Sequence, residues 1–136
     1  MNGTKAAASI LGVVGLMGVS HGPSEILQGN VVPKGIMIMA WPQLTSSPLA
    51  GEPAVTVIPI FMVAGILTIT MACIVIAWAG TCLERKQGGL LLILLSLAML
   101  TVGGGVIPPL FGIAAGSIAA ITNFKTSERD VGAIKP

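Results

Sequence analysis

Apolar residues in this chain come in long blocks separated by short polar breaks. The first block begins at Ala6 and, carried through His21 and Pro23 to Gly29, is long enough for one crossing of a bilayer, which takes roughly 20 mainly apolar residues. Pro23 predicts a kink in it, because proline removes a backbone donor and crowds the preceding turn. A second block, Ala54 to Ala79, has Pro59 in its early turns, where a missing donor costs least, and Trp78 near its far end, as an aromatic belt requires. The polar turn "GTCLERKQGG" follows, carrying Glu84, Arg85 and Lys86. The third block runs from Gly89 to Gly105 around "LLLILLSLAML", and "GGGVIPP" divides it from a fourth that ends at Phe124. One helix from Gly89 to Phe124 would exceed about 50 Å at a rise of about 1.5 Å per residue, so a hairpin is predicted at the glycines and prolines.

The expected fold is therefore all-α: a small polytopic membrane protein with four transmembrane helices over 6–29, 54–80, 89–105 and 109–124. Residues 30–53, with four prolines and two glycines, predict an irregular outer loop between the first and second spans. Its apolar stretch Gly35 to Pro42 is too short to span and is expected in the interface, with Trp41 at headgroup depth; a re-entrant segment is the alternative. The polar tail 125–136 is expected to be mobile and cytoplasmic.

Composition supports lipid as the solvent. Of 136 residues only 9% are charged, against about a quarter in soluble domains, and so few charges do not cover a water-facing surface. Charge placement adds orientation. With four spans and the N-terminus inside, Lys5, Arg85, Lys86, Lys125, Arg129 and Lys135 face the cytoplasm and Lys34 faces outward, as the positive-inside rule expects for a multi-pass protein of the cell membrane. A net charge of +2 gives no argument for nucleic acid. Cys73 and Cys82, nine residues apart, are more than two helical turns from one another and read as reduced, small apolar residues.

Candidate chemistry concentrates at the outer end of the first block. His21 and Glu25 are four apart, on one helical face that Gln28 continues. Ionisable groups in a membrane are costly and tend to be functional, so the three residues are the candidates for a proton or cation site opening outward; the competing reading is an interfacial pair that meets water. Met37 and Met39 would be the alternative site, for Cu(I), but methionine is also ordinary apolar filler and no metal is expected. Gly12, Gly15 and Gly22 on the first helix, and Gly112, Gly116 and Ala120 on the fourth, give small-residue faces that let helix backbones approach. These make the first and fourth helices candidate neighbours, or one of them a homomeric contact.

No catalytic constellation or cofactor motif is present, so enzymatic activity is not expected. The first expectation is a non-catalytic accessory or assembly subunit, partnered by the bilayer and by copies of itself or a larger membrane complex. The alternative is a small oligomeric transporter or channel that uses His21 and Glu25. Depth separates them: a Glu25 that is deep and lines a cavity favours transport, and a surface-exposed one favours the accessory role.

Overall fold

The computed structural model describes Val19, residues 21–39 and residues 53–133. These are mostly helical. Helix α1 covers residues 21–27, and a two-stranded sheet follows from β1 (Met37–Met39) and β2 (Pro53–Val55). Three longer helices complete the order: α2 (Phe61–Thr81), α3 (Gly88–Val102) and α4 (Ile107–Ala133). Gly12, Gly15, Trp41 and the chain before Val19 lie outside the described residues, and with them the question of how far α1 continues toward the N-terminus.

Pro23 falls in the first described turn of α1 and points outward. The Ser24 hydroxyl donates back to the His21 carbonyl oxygen at 2.6 Å. The helix ends at Gly29, whose φ of +73° suits a residue without a Cβ. The segment leaving α1 then closes the start of α2, which has no side-chain cap: the amides of Phe61 and Met62 donate to the carbonyls of Val31 and Gly29 at 3.1 and 3.0 Å. Two donors that a helix start leaves orphaned are thus satisfied by the backbone leaving α1, and this ties α1 to α2.

The second helix begins at Phe61 rather than at Ala54, and residues expected in its first turns are extended. Met37, Ile38 and Met39 pair antiparallel with Val55, Ala54 and Pro53. Beyond β2, the amides of Thr56 and Val57 donate to Ile36 and Thr101. Partners for these backbone groups exist only outside the local segment, and Pro59 disfavours a helical Ile58. Extended chain wins there. The stretch expected in the interface is in part β1, with Ile38 buried in a small cluster with Ala54 and Phe61.

The turn after α2 is built from both sides. The Trp78 indole donates to the Gly88 carbonyl at 3.1 Å, and the Asn123 amide donates to the carbonyls of Leu83 and Arg85, each at 2.9 Å. Between α3 and α4 the chain turns at Gly103 (φ +114°) and Gly105 (φ +75°). Pro108 and Pro109 lie inside the first turn of α4, where no intrahelical donor is needed. The fourth helix also runs past Phe124 to Ala133. The residues expected in a separate tail are thus helical as far as Ala133: Lys125 to Val131 contains no proline or glycine to stop a helix already under way.

Neighbours are set by small residues. A Cβ on Gly65 of α2 would fall 2.5 Å from the Gly22 carbonyl oxygen of α1. Between α3 and α4, a Cβ on Gly116 would fall 2.8 Å from the Gly89 carbonyl oxygen, and one on Gly112 would strike the Ser96 hydroxyl. Among the described residues Gly112, Gly116 and Ala120 therefore face α3, and Gly22 packs the first helix against the second. The shared core is Ala72, Val75 and Ala79 of α2, Leu92 and Met99 of α3, and Ala115 and Ala119 of α4.

The outer faces are as apolar as this core. Ile66, Ile74, Leu94, Leu97, Leu110 and Ile121 all stand exposed. Helices apolar on every side are those of a membrane span or of a large protein interior. Two of them, α2 and residues Ile107–Lys125 of α4, are long and apolar enough to cross a membrane, which points to membrane association; α3 is apolar and shorter.

Candidate functional site

Where α1, α2 and the α3–α4 turn meet, the apolar pattern is broken by a buried polar cluster. Glu25 is 0% exposed and His21 2%, and both lie on the inward face of α1. Burial of the pair follows from the close α1–α2 crossing at Gly22 and Gly65, because residues on the same side of α1 as Gly22 are pressed onto α2 and the turn.

Glu25 has two surroundings. Its Oε2 accepts a hydrogen bond from the Thr68 hydroxyl of α2 at 3.3 Å, while Oε1 is buried with no hydrogen-bond partner among the described residues. The carboxylate lies over Gly103: a Cβ there would meet Oε1 at 2.5 Å and Oε2 at 2.9 Å. A glycine at this turn thus meets two requirements, the positive φ and the room for a carboxylate.

Thr68 connects the carboxylate to the end of α3, since its hydroxyl also lies 3.3 Å from the Val102 carbonyl oxygen. That carbonyl receives the Thr56 hydroxyl at 3.4 Å, and Thr56 in turn accepts from the Ile58 amide at 3.1 Å. The Val102 oxygen belongs to the last turn of α3, where carbonyls lack helical partners and the helix dipole is negative. Thr68 carries one hydroxyl hydrogen and faces two acceptors. It can serve Glu25 or Val102, not both at full strength.

Of the other sequence candidates, Gln28 lies past the helix, and its side-chain amide donates to the Ser24 carbonyl at 3.3 Å, away from this cluster. Met37 is exposed on β1, and no group of three or more His, Cys, Asp or Glu gathers among the described residues. Cys73 is exposed and Cys82 half-buried, both as free thiols.

Sequence reasoning named His21 and Glu25 and passed over Thr56, Thr68 and Val102. Thr68 had one available signal, a hydroxyl in the middle of an apolar block. Such hydroxyls usually bond their own helix, as Thr70 does to the Ile66 carbonyl at 2.8 Å. Thr68 is the exception, and its position 43 residues from Glu25 conceals it. No family model matches this chain, and neither curated proteins nor solved structures gave a match.

Proposed function

We propose that this chain is a four-span integral membrane protein of the cell membrane whose working group is the buried Glu25 carboxyl, acting as a proton or cation site in a small oligomeric transporter or channel. The observation that carries the reading is the depth of that carboxyl: 0% exposed, with one oxygen lacking a partner among the described residues. Thr68 lies seven residues into α2, about 10 Å along the helix axis, so on this reading the carboxyl lies below the outer surface, beside the α3–α4 turn. A carboxylate held there serves stability poorly, and ionisable groups at such depth mark ion or proton pathways. Oligomerisation follows from volume, since four short helices filled by their own core leave little room for a path within one copy.

In this arrangement both termini are cytoplasmic, and the Glu25 cluster, the sheet and the Gly103 turn lie on the outer side. The loop bearing Glu84, Arg85 and Lys86 lies inside. Single cysteines at Ser46 and Thr126, in a version with Cys73 and Cys82 replaced, should label from opposite sides of the membrane. Labelling from the same side overturns the topology.

The functional reading is tested with Glu25→Gln, which keeps the shape and the acceptor for Thr68. The parent chain should show a melting midpoint or a proteoliposome proton flux that changes with pH, and the variant should lose that dependence. Its midpoint should match that of the parent at the acid limit, because glutamine imitates the protonated carboxyl. Identical pH profiles for the two would reject the reading.

A second reading, a non-catalytic accessory or assembly subunit, draws on a different observation. Gly22, Gly112 and Gly116 are consumed within the chain, while Leu94, Leu110 and Ile121 leave broad apolar faces outward. Those faces suit lipid or a partner helix equally.

A further inference from the structure

The Glu25 cluster offers an all-oxygen donor set. The Thr68 hydroxyl stands between the Glu25 carboxylate and the Val102 carbonyl, with Thr56 bonded to the same carbonyl. All are hard ligands, the kind that alkali and alkaline-earth ions take and soft metals do not. Each is drawn from a different stretch of chain, and the carbonyl comes from the C-terminal end of α3, where the helix dipole is negative and favours a cation.

We propose that Glu25, Thr68 and the Val102 carbonyl supply three of the oxygens of a binding site for a monovalent cation, sodium, which exchanges with a proton on the Glu25 carboxyl. The inference rests on the function proposed above and names the ion.

The two separations that Thr68 makes favour one ion size. The Thr68 oxygen is 3.3 Å from Glu25 Oε2 and 3.3 Å from the Val102 oxygen, whereas a tight O–H···O bond is about 2.7–2.8 Å. Ligand oxygens about 2.3–2.6 Å from a calcium-sized ion, at right angles to one another, lie about 3.3–3.7 Å apart. For magnesium, at about 2.0–2.1 Å, the separation falls to about 2.8–3.0 Å. Sodium has nearly the radius of calcium and fits; potassium spreads the oxygens further.

Charge decides valence. Glu25 supplies one negative charge, and no acidic or basic side chain lies on α2, on β2, on α3 or in the turn 103–105. The other titratable group on the inward face of α1 is His21, and the titratable group of α2, Cys73, is exposed. A divalent ion would leave an uncompensated charge in an apolar surround. A monovalent one leaves none.

Exchange with a proton keeps this neutrality and uses the shared hydroxyl. With the carboxyl protonated, its O–H donates to the Thr68 oxygen and Thr68 donates to Val102. When sodium enters, the proton leaves and the ion bridges the carboxylate, the Thr68 oxygen and the Val102 oxygen, with the Thr68 hydrogen turned aside. One positive charge enters and one departs.

The test uses the full chain purified in detergent. Melting midpoints are measured in sodium, potassium and choline chloride at equal ionic strength, alongside retention of radioactive sodium. Sodium alone should raise the midpoint, with an apparent affinity that weakens as pH falls. Thr68→Val should weaken that affinity about tenfold, Thr68→Ser should keep it, and Glu25→Gln should abolish it. Equal midpoints in sodium and choline with no retained sodium overturn the inference, and this comparison needs no variant. If the Glu25-dependent pH response persists in that case, the proton reading stands without the ion; if it too is missing, both fall.

Discussion

Gly116→Leu should loosen the α3–α4 pair and lower the stability of the folded chain by about 1–3 kcal/mol or more, the cost of overpacking a close-packed site. A Cβ at this position already meets the Gly89 carbonyl oxygen and Ile93 Cγ1, each at 2.8 Å. The opposing wall is partly backbone, so the strain is not relieved by a rotamer change. Leucine adds three further carbons, and the two helices must separate along the face that also holds Ser96 against Gly112. Lipid supplies no hydrophobic force to restore a contact once the fit is lost. The measurement is thermal or denaturant unfolding in detergent. Ile118→Leu, on the exposed side of the same helix, should change stability by no more than about 0.5 kcal/mol. If Gly116→Leu extracts, migrates and melts like the parent, α4 does not pack on α3 through this face.

Gly103→Ala should have the second large effect, and through two separable causes. A φ of +114° is a conformation that L side chains rarely adopt, and holding one there costs about 1–3 kcal/mol. The added Cβ also meets the Glu25 carboxylate at 2.5 Å, which displaces the carboxylate from Thr68. The pH response of Glu25 should therefore change along with the stability. Introducing Glu25→Ala removes the second cause and leaves the first, so the alanine at 103 should cost less in that background. A double-mutant cycle reads the coupling directly. Strict additivity between the two substitutions would mean that the carboxylate does not rest against this turn.

Much of the helical layout is legible in the residues themselves. Apolar blocks of helix length, cut by the charged turn at 82–87 and by the glycines and prolines at 103–109, mark α2, α3 and the start of α4 with few alternatives. These signals are local: lipid-compatible length, and residues whose backbone cannot continue a helix. The spacing of His21 and Glu25 is local as well, since four residues of helix place them on one side regardless of what covers it.

Everything that depends on a partner distant in sequence was beyond that reach. Residues 54–57 read as the start of a helix, yet they are extended because the β1 segment and the end of α3 offer their amides carbonyl oxygens that no neighbouring turn supplies. The small-residue face of α4 was legible, but its partner was not: in helices apolar all round, periodicity does not distinguish the side that meets protein from the side that meets lipid. Only the matching shapes of Gly89, Ser96, Gly112 and Gly116 assign α4 to α3. For the same reason a carboxylate at residue 25 declared its cost and not its surroundings. Its meeting with Thr68, Val102 and Gly103 is made by the crossing of α1 over α2 and the break after α3, and those are decisions of the folded chain.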